Sequence, residues 1–196
     1  MVADTSWMSK RFDELQNQGL DWNPPTLQTA NDAKCTIDGK ETIMLSANNY
    51  LNLTNHPKVM NAMISATKKY GSGSGSVRAI AGTMDIHLEA EKKVAEFKKV
   101  ESSLIYSAGY TVNVGLIPTL VRGPQDIIIS DELNHASIIE SCKLSGAKTV
   151  IYKHNDMKDL FEKIKKHGNN KFIITEGVFS MDGDFSSLKE IPEISQ

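Results

Sequence analysis

The sequence predicts an α/β fold, a mostly parallel sheet with helices on both faces, and two observations carry that prediction. From residue 103 onward, short apolar runs alternate with stretches of helical spacing: strand 103–107, helix 110–121, strand 126–130, helix 134–144, strand 148–153, helix 156–167 and strand 171–175. Strands that alternate with helices of this length require crossover connections and a parallel sheet covered on both sides. The run Asp126-Ile-Ile-Ile-Ser130 is, in addition, too apolar and β-branched for a surface strand, so it is expected to be buried.

The segments ahead of residue 103 follow in order. Residues 5–18 have the spacing of a short amphipathic helix with Trp7, Phe12 and Leu15 on one side, and Trp22-Asn-Pro-Pro25 ends whatever precedes it. Thr36-Ile-Asp-Gly-Lys-Glu-Thr-Ile-Met-Leu45 alternates around Asp38-Gly39, a hairpin signal. Residues 1–45 therefore read as an N-terminal arm and hairpin, and residues 46–196 as part of a larger domain. Pro57 suits the first turn of a helix whose Val59, Met63, Ala66 and Tyr70 share a face, with Gly71 past its end. In the next helix Ile86, Ala90, Val94 and Phe97 share a face and Asp85 is placed to cap it. The chain stops at Gln196 within the helical pattern Ser187–Ile194 and without a capping residue, which leads us to expect a truncated domain.

Composition narrows the function classes. The chain has 196 residues, 40% of them hydrophobic and 23% charged, enough for one sizeable core. A net charge of -2 with mixed signs gives no basic footprint for nucleic acid, so a small-molecule ligand is the expected partner. The two cysteines, Cys35 and Cys142, have neither Cys-x-x-Cys spacing nor a nearby histidine pair, which argues against a disulfide framework and a zinc site. Met1–Lys10 lacks an apolar signal core, and no run approaches the roughly 18 apolar residues that span a membrane. The expectation is a cytoplasmic protein with neither a membrane nor a metal requirement.

Four constellations could carry chemistry. Gly71-Ser-Gly-Ser-Gly-Ser76 precedes Arg78 and Gly82-Thr83. It fails as a dinucleotide fingerprint because it follows a helix instead of a strand, and a flexible loop is its rival reading, although a linker has no use for a fixed cation and a second tight turn. Tyr106-Ser-Ala-Gly-Tyr110 runs from a strand end into a helix, where backbone N–H groups at Gly109 and Tyr110 and the helix dipole favour a phosphate. A packing turn that needs Gly109 for steric reasons explains the same residues. Asn134-His135-Ala136 puts an imidazole where a buried strand hands over to a helix, against the alternative of a hydrogen-bonded structural histidine. Finally, Thr175–Asp184 carries Ser180 with Glu176, Asp182 and Asp184 in a glycine-containing turn, without calcium-loop spacing. The last three lie at the carboxyl ends of successive predicted strands, where an open α/β sheet gathers its site. Together they describe a cradle for a phosphorylated aromatic cofactor.

In the wording of its motifs the chain resembles the α-oxoamine synthases, pyridoxal-phosphate (PLP) enzymes of the fold-type I aminotransferase superfamily. The resemblance covers nearly everything after residue 36. It rests on Asn48-Asn-Tyr-Leu51, Asn55-His-Pro57, Gly71–Ser76 with Arg78 and Gly82-Thr83, Ser130-Asp-Glu-Leu-Asn-His-Ala-Ser-Ile138, and Glu176-Gly-Val-Phe-Ser-Met-Asp-Gly-Asp184. It implies the large PLP-binding domain of a fold-type I homodimer that condenses an amino acid with an acyl-CoA and releases CoA. By the same resemblance His135 stacks on the pyridine ring as the catalytic group, Gly109 and Tyr110 hold the phosphate, and Ser180 contacts the cofactor. Asn48 and Arg78 lie on the substrate side, Asn48 in the partner subunit's site. Glycine is the first expectation for the amino acid. Alanine with a pimeloyl thioester is the alternative, and a noncatalytic partner subunit stands behind both.

The departures from the family matter as well. Its cofactor lysine, in a Thr-Leu-Ser-Lys-like motif, and its Asp-x-x-His pair have no counterpart in this sequence, which supports the expectation of an N-terminal portion. Ser65-Ala-Thr-Lys68 and Ser186-Ser-Leu-Lys189 only superficially resemble the lysine motif and are expected on solvated helix faces. A serine acylase built on Ser186 and Lys189 would need Ser-Asp-Asn and Lys-Thr-Gly partners that the chain lacks. Asn52 stands where the family usually has glycine.

Overall fold

Asp38 and Gly39, both at positive φ (47° and 76°), turn the chain between β1 (Lys34–Ile37) and β2 (Lys40–Ile43), an antiparallel pair with Cys35 opposite Thr42. The hairpin expected around these two residues is thus formed, in a computed structural model that describes residues 4–168 and 170–194. Contacts divide the chain into two compact units, Met1–Met84 and Asp85–Gln196. This division falls later than the change of sequence character at 45/46.

In the first unit, helix α1 (Ser6–Asn17) precedes the hairpin. Its apolar side stays open: Trp7 and Phe12 are 61% and 55% exposed. Helix α2 (Pro57–Tyr70) starts with proline in its first turn, as expected, and His56 caps it by accepting the Lys58 backbone N–H on its side chain. The residues between hairpin and helix are tied by amides: Asn49 and Asn55 each donate to the Asn31 carbonyl, and Asn52 donates to Asp32. Asn52 has φ 49°, a left-handed conformation that glycine adopts freely and asparagine tolerates better than most residues. That accounts for asparagine at a position where glycine is usual. A π-helical turn, Arg78–Gly82, follows the glycine-serine run. There Gly82 is required, because a Cβ would sit 2.0 Å from the Ser76 carbonyl oxygen.

The second unit begins with helix α3 (Asp85–Lys98) and helix α4 (Gly109–Leu120). Beyond them come β3 (Ile127–Asp131), helix α5 (Ala136–Leu144), β4 (Lys148–Tyr152), helix α6 (Met157–Lys166), β5 (Lys171–Ile174) and the short helix α7 (Glu190–Ile194). The strands form a parallel sheet in the order β4-β3-β5, with Ile129 beside both Val150 and Ile173. Alternation along β3 fixes the layers. Ile128 packs with Ile117 and Val121 from α4 and its end and with Ile138 and Cys142 from α5. Ile129, one residue on, packs with Tyr152 and with Leu160 and Ile164 of α6. Both isoleucines are fully buried, each contributing about 1.5–3 kcal/mol, which is why β3 reads as an uninterrupted apolar run. The predicted parallel sheet with helices on both faces is therefore what forms.

Two expectations are corrected. Residues 103–107 form no strand: Ile105 N–H donates to the Glu91 carboxylate at 3.0 Å and the Ser103 hydroxyl to the Glu91 carbonyl at 2.6 Å, so α3 holds this segment in place of a sheet neighbour. A strand exists only by pairing, and no strand lies beside these residues among those described. Ser186-Ser-Leu-Lys189 also lies on no helix face. It precedes α7, and the Ser187 N–H donates to Asn155 at 3.1 Å.

Candidate functional site

The carboxyl ends of β3, β4 and β5 lie at one edge of the parallel sheet, and the loops leaving them are cross-linked through side chains. His135 is the N-cap of α5, with extended ψ (144°) and an exposed ring. Its Nδ1 accepts the Ser137 backbone N–H at 3.1 Å and lies 2.7 Å from the Ser137 hydroxyl. An acceptor Nδ1 leaves the ring proton on Nε2, the nitrogen directed away from the cap. Ser137 is held in turn by Asn113, whose amide donates to its hydroxyl at 2.9 Å. Asn113 is one turn into α4, so α4 and α5 begin side by side.

The start of α4 supplies the donors. Ala108 is its N-cap, and Thr111 Oγ1 accepts the Ala108 N–H at 3.2 Å while donating back to the Ala108 carbonyl at 2.7 Å. This leaves the first-turn amides of Gly109 and Tyr110 without intrahelical acceptors, as at every helix start. A Cβ built on Gly109 meets nothing within 4 Å, and its φ is not positive. The packing explanation for this glycine therefore fails, and Gly109 leaves open space where a side chain would stand. Tyr110 is 53% exposed.

The turn after β5 completes the edge. Glu176 accepts the His135 backbone N–H on Oε1, joining the two loops directly. Ser180 is exposed at the tip of the turn, beside the buried Phe179, and Val178 bridges Phe185 across it. Buried Asn134 ties the same loops from below, donating to the Ser130 hydroxyl at 2.9 Å and to the Ile174 carbonyl at 2.8 Å. The structure therefore gathers the loops of Gly109, Tyr110, His135 and Ser180 in the second unit. Asn48 and Arg78 belong to the first, where Asn48 is exposed beside Tyr50 and Arg78 opens the π-helical turn.

Sequence reasoning missed a second imidazole-bearing strand end. His154 follows β4 and bridges two carboxylates, Nδ1 to Asp131 Oδ1 at 2.9 Å and Nε2 to Asp184 Oδ2 at 2.8 Å. Asp131 is buried, which by itself pushes its pKa up, but the N–H groups of Asn155 and Leu133 and the His154 ring outweigh that and hold it below the ordinary carboxylate value. The hydrogen bond to Asp131, helped by Asp184, raises His154 above the usual imidazole value against the effect of burial. The strand-end rule that singled out His135 applies equally to His154-Asn155-Asp156, and would have found it.

A profile of the family described as aminotransferase class I and II matches residues 40–196. The 8-amino-7-oxononanoate synthases of Thermoanaerobacter pseudethanolicus and Symbiobacterium thermophilum are 47% and 48% identical to this chain, over 100% of it and 50% of their own length. Among solved structures, serine palmitoyltransferase from S. paucimobilis with a bound PLP–myriocin aldimine superposes with a TM-score of 0.85 at 29% identity, covering 98% of this chain and 50% of that one. 8-Amino-7-oxononanoate synthase from Francisella tularensis superposes with a TM-score of 0.66 at 31% identity, over 76% of this chain and 41% of that one. The fold is thus that of the N-terminal portion of fold-type I PLP transferases, and the chain spans about half the length of the curated relatives it matches.

Proposed function

We infer that this chain, which belongs to the aminotransferase class I and II family, supplies a PLP-binding surface to an acyltransferase that condenses an amino acid with an acyl thioester. The observation that carries this reading is the joint start of α4 and α5. There the free amides of Gly109 and Tyr110 stand beside an exposed His135 ring whose tautomer is fixed by Ser137. These residues fit PLP. The open room at Gly109 lets a phosphate reach the backbone, and first-turn amides at the positive end of a helix favour its charge.

In the proposed roles, Gly109 and Tyr110 bind the phosphate, His135 lies against the pyridine ring as the catalytic group, and Ser180 makes a polar contact to the cofactor. Asn48 and Arg78 face the substrates. When bound, PLP supplies an electron sink for the α-carbon of the amino acid. His135 fixes the plane of that sink, and its Nδ1 contacts hold the ring from turning.

Alanine with a pimeloyl thioester replaces glycine with an acyl-CoA as the proposed substrate pair, because curated relatives matched over the whole chain include 8-amino-7-oxononanoate synthases. A homodimer is part of the proposal: Leu45, Tyr50 and Leu51 are 92%, 79% and 79% exposed, apolar surface that a second copy would cover. Both cysteines are free and buried, in keeping with a reducing cytoplasm. No helix among the described residues is long and apolar enough to cross a membrane.

The test is a PLP titration of the protein followed by CoA-release assays with alanine plus pimeloyl-CoA and with glycine plus acetyl-CoA. Saturable PLP binding is expected of this chain; because it carries no counterpart of the family's cofactor lysine, turnover of the first pair is expected only of a protein that also supplies that lysine. Turnover of the second pair alone would restore the glycine reading, and absence of PLP binding would remove the function altogether.

A further inference from the structure

The turn that carries Ser180 is held at two points by consecutive residues from the end of β4. His154 reaches Asp184 through Nε2 while its Nδ1 is anchored on buried Asp131, which itself accepts the N–H groups of Leu133 at 2.9 Å and Asn155 at 3.0 Å. Asn155 donates to the Phe185 carbonyl at 2.8 Å and accepts the Ser187 N–H at 3.1 Å. The His154 ring packs perpendicular to that of Phe179, 1% exposed, with ring centroids 4.4 Å apart and planes at 87°. Phe179 immediately precedes Ser180. Within the turn, Phe179 N–H donates to the Asp184 carbonyl at 2.9 Å and Gly183 N–H to the Phe179 carbonyl at 2.8 Å, so fixing Asp184 and Phe179 fixes the tip between them.

We propose that His154 is a positioning residue: by bridging Asp131 and Asp184 and packing on Phe179, it sets the turn Gly177–Phe185, and with it Ser180, against the carboxyl ends of β3 and β4. The bridge stands on geometry alone, whereas its consequence for PLP rests on the role proposed above for Ser180. An imidazole suits the task because, with both nitrogens protonated, it donates in opposite directions to two acceptors that would otherwise repel each other. Asp131 belongs to the rigid sheet and Asp184 to the turn, and His154 is the one side chain that contacts both among the hydrogen bonds described.

The test pairs two variants of the purified protein with two readouts. His154→Gln keeps an amide donor but loses the second arm. Asp184→Ala cuts only the turn arm, at a side chain 41% exposed, and leaves buried Asp131 paired, so it is expected to fold. Amide hydrogen exchange across Gly177–Phe185 should accelerate roughly tenfold or more in both, while Ile128–Ser130 keeps wild-type protection. The apparent dissociation constant for PLP should rise about threefold or more, consistent with a loosened contact. Unchanged exchange across the turn in both variants overturns the bridge. Faster exchange with unchanged PLP affinity overturns its bearing on Ser180. A wild-type protein that does not bind PLP removes the functional reading, and with it the role given to Ser180, while the exchange data still decide the bridge.

Discussion

Ser137 holds His135 from two directions, its backbone N–H 3.1 Å and its hydroxyl 2.7 Å from the same Nδ1. The hydroxyl in turn receives the Asn113 amide at 2.9 Å, so one oxygen links the first turns of α4 and α5. Ser137→Ala removes the hydroxyl and keeps the backbone contact. It should cost about 1 kcal/mol in urea denaturation, because Asn113 loses its acceptor in a part-buried position. PLP affinity should fall by roughly fivefold, the equivalent of that energy. A variant that loses stability but keeps full PLP affinity would show that Ser137 serves packing alone.

Gly109 gives a sharper separation of fold from function. Its substitution by alanine meets no neighbour within 4 Å and needs no left-handed backbone. Gly109→Ala should therefore leave thermal stability unchanged or raise it by up to about 0.5 kcal/mol, the ordinary effect of restricting the unfolded chain. The same methyl would take up the open space through which the phosphate is proposed to reach the backbone, so PLP affinity should fall about tenfold. Stability and affinity moving together would contradict the assignment.

What the sequence made legible was position, and the limits were set by how far apart interacting residues lie. The isoleucine run at 127–129, the proline start of α2 and the turn at Asp38-Gly39 are local signals, and each element formed where its residues call for it. His135 at a strand end was readable for the same reason. Residues 103–107 have strand character but no strand beside them among the described residues, and pairing is a non-local condition that composition does not carry. Trp7 and Phe12 have helical spacing, yet spacing does not say whether anything covers them. The His154 bridge joins residues 23 and 30 positions apart, each an unremarkable polar residue in its own segment. The same distance hides the Glu176 contact to His135 and the Asn134 contact to Ile174, 41 and 40 positions apart.

The raised His154 and lowered Asp131 define a pH window for stability. A histidine whose folded pKa exceeds its unfolded value of about 6.5 contributes fully below that value, and the contribution is lost as pH rises through the folded pKa. A carboxylate with a depressed folded pKa contributes above its unfolded value of about 3.9 and loses the contribution as pH falls through the folded one. Both are present together between about pH 4 and 6.5. Other acids close to His154 are Glu132, which accepts its backbone N–H, and Asp159, which accepts that of Lys153. Thermal melts should show the wild type losing stability above pH 6.5 more steeply than His154→Gln. Parallel curves for the two proteins would mean that the bridge does not titrate in this range.

Asn134 offers the cleanest measure of what ties β3 to β5 beyond the ladder. Its Nδ2 bonds both the Ser130 hydroxyl and the Ile174 carbonyl, while its Oδ1 is buried without a partner among the described residues. Asn134→Leu keeps the volume, removes that unpaired oxygen and strands two acceptors. The first change is favourable and the second unfavourable by about 1–3 kcal/mol per buried group, so a net loss of roughly 1–2 kcal/mol is expected in urea denaturation. Asn134→Asp keeps the shape but sets a carboxylate against the Ile174 carbonyl. It should be the more damaging variant at neutral pH and recover as the pH is lowered and the acid protonates to regain a donor. If leucine proves as stable as the wild type, the two amide bonds only balance the burial of Oδ1, and the alignment of the β3 and β5 ends rests on the backbone ladder and the Glu176 contact alone.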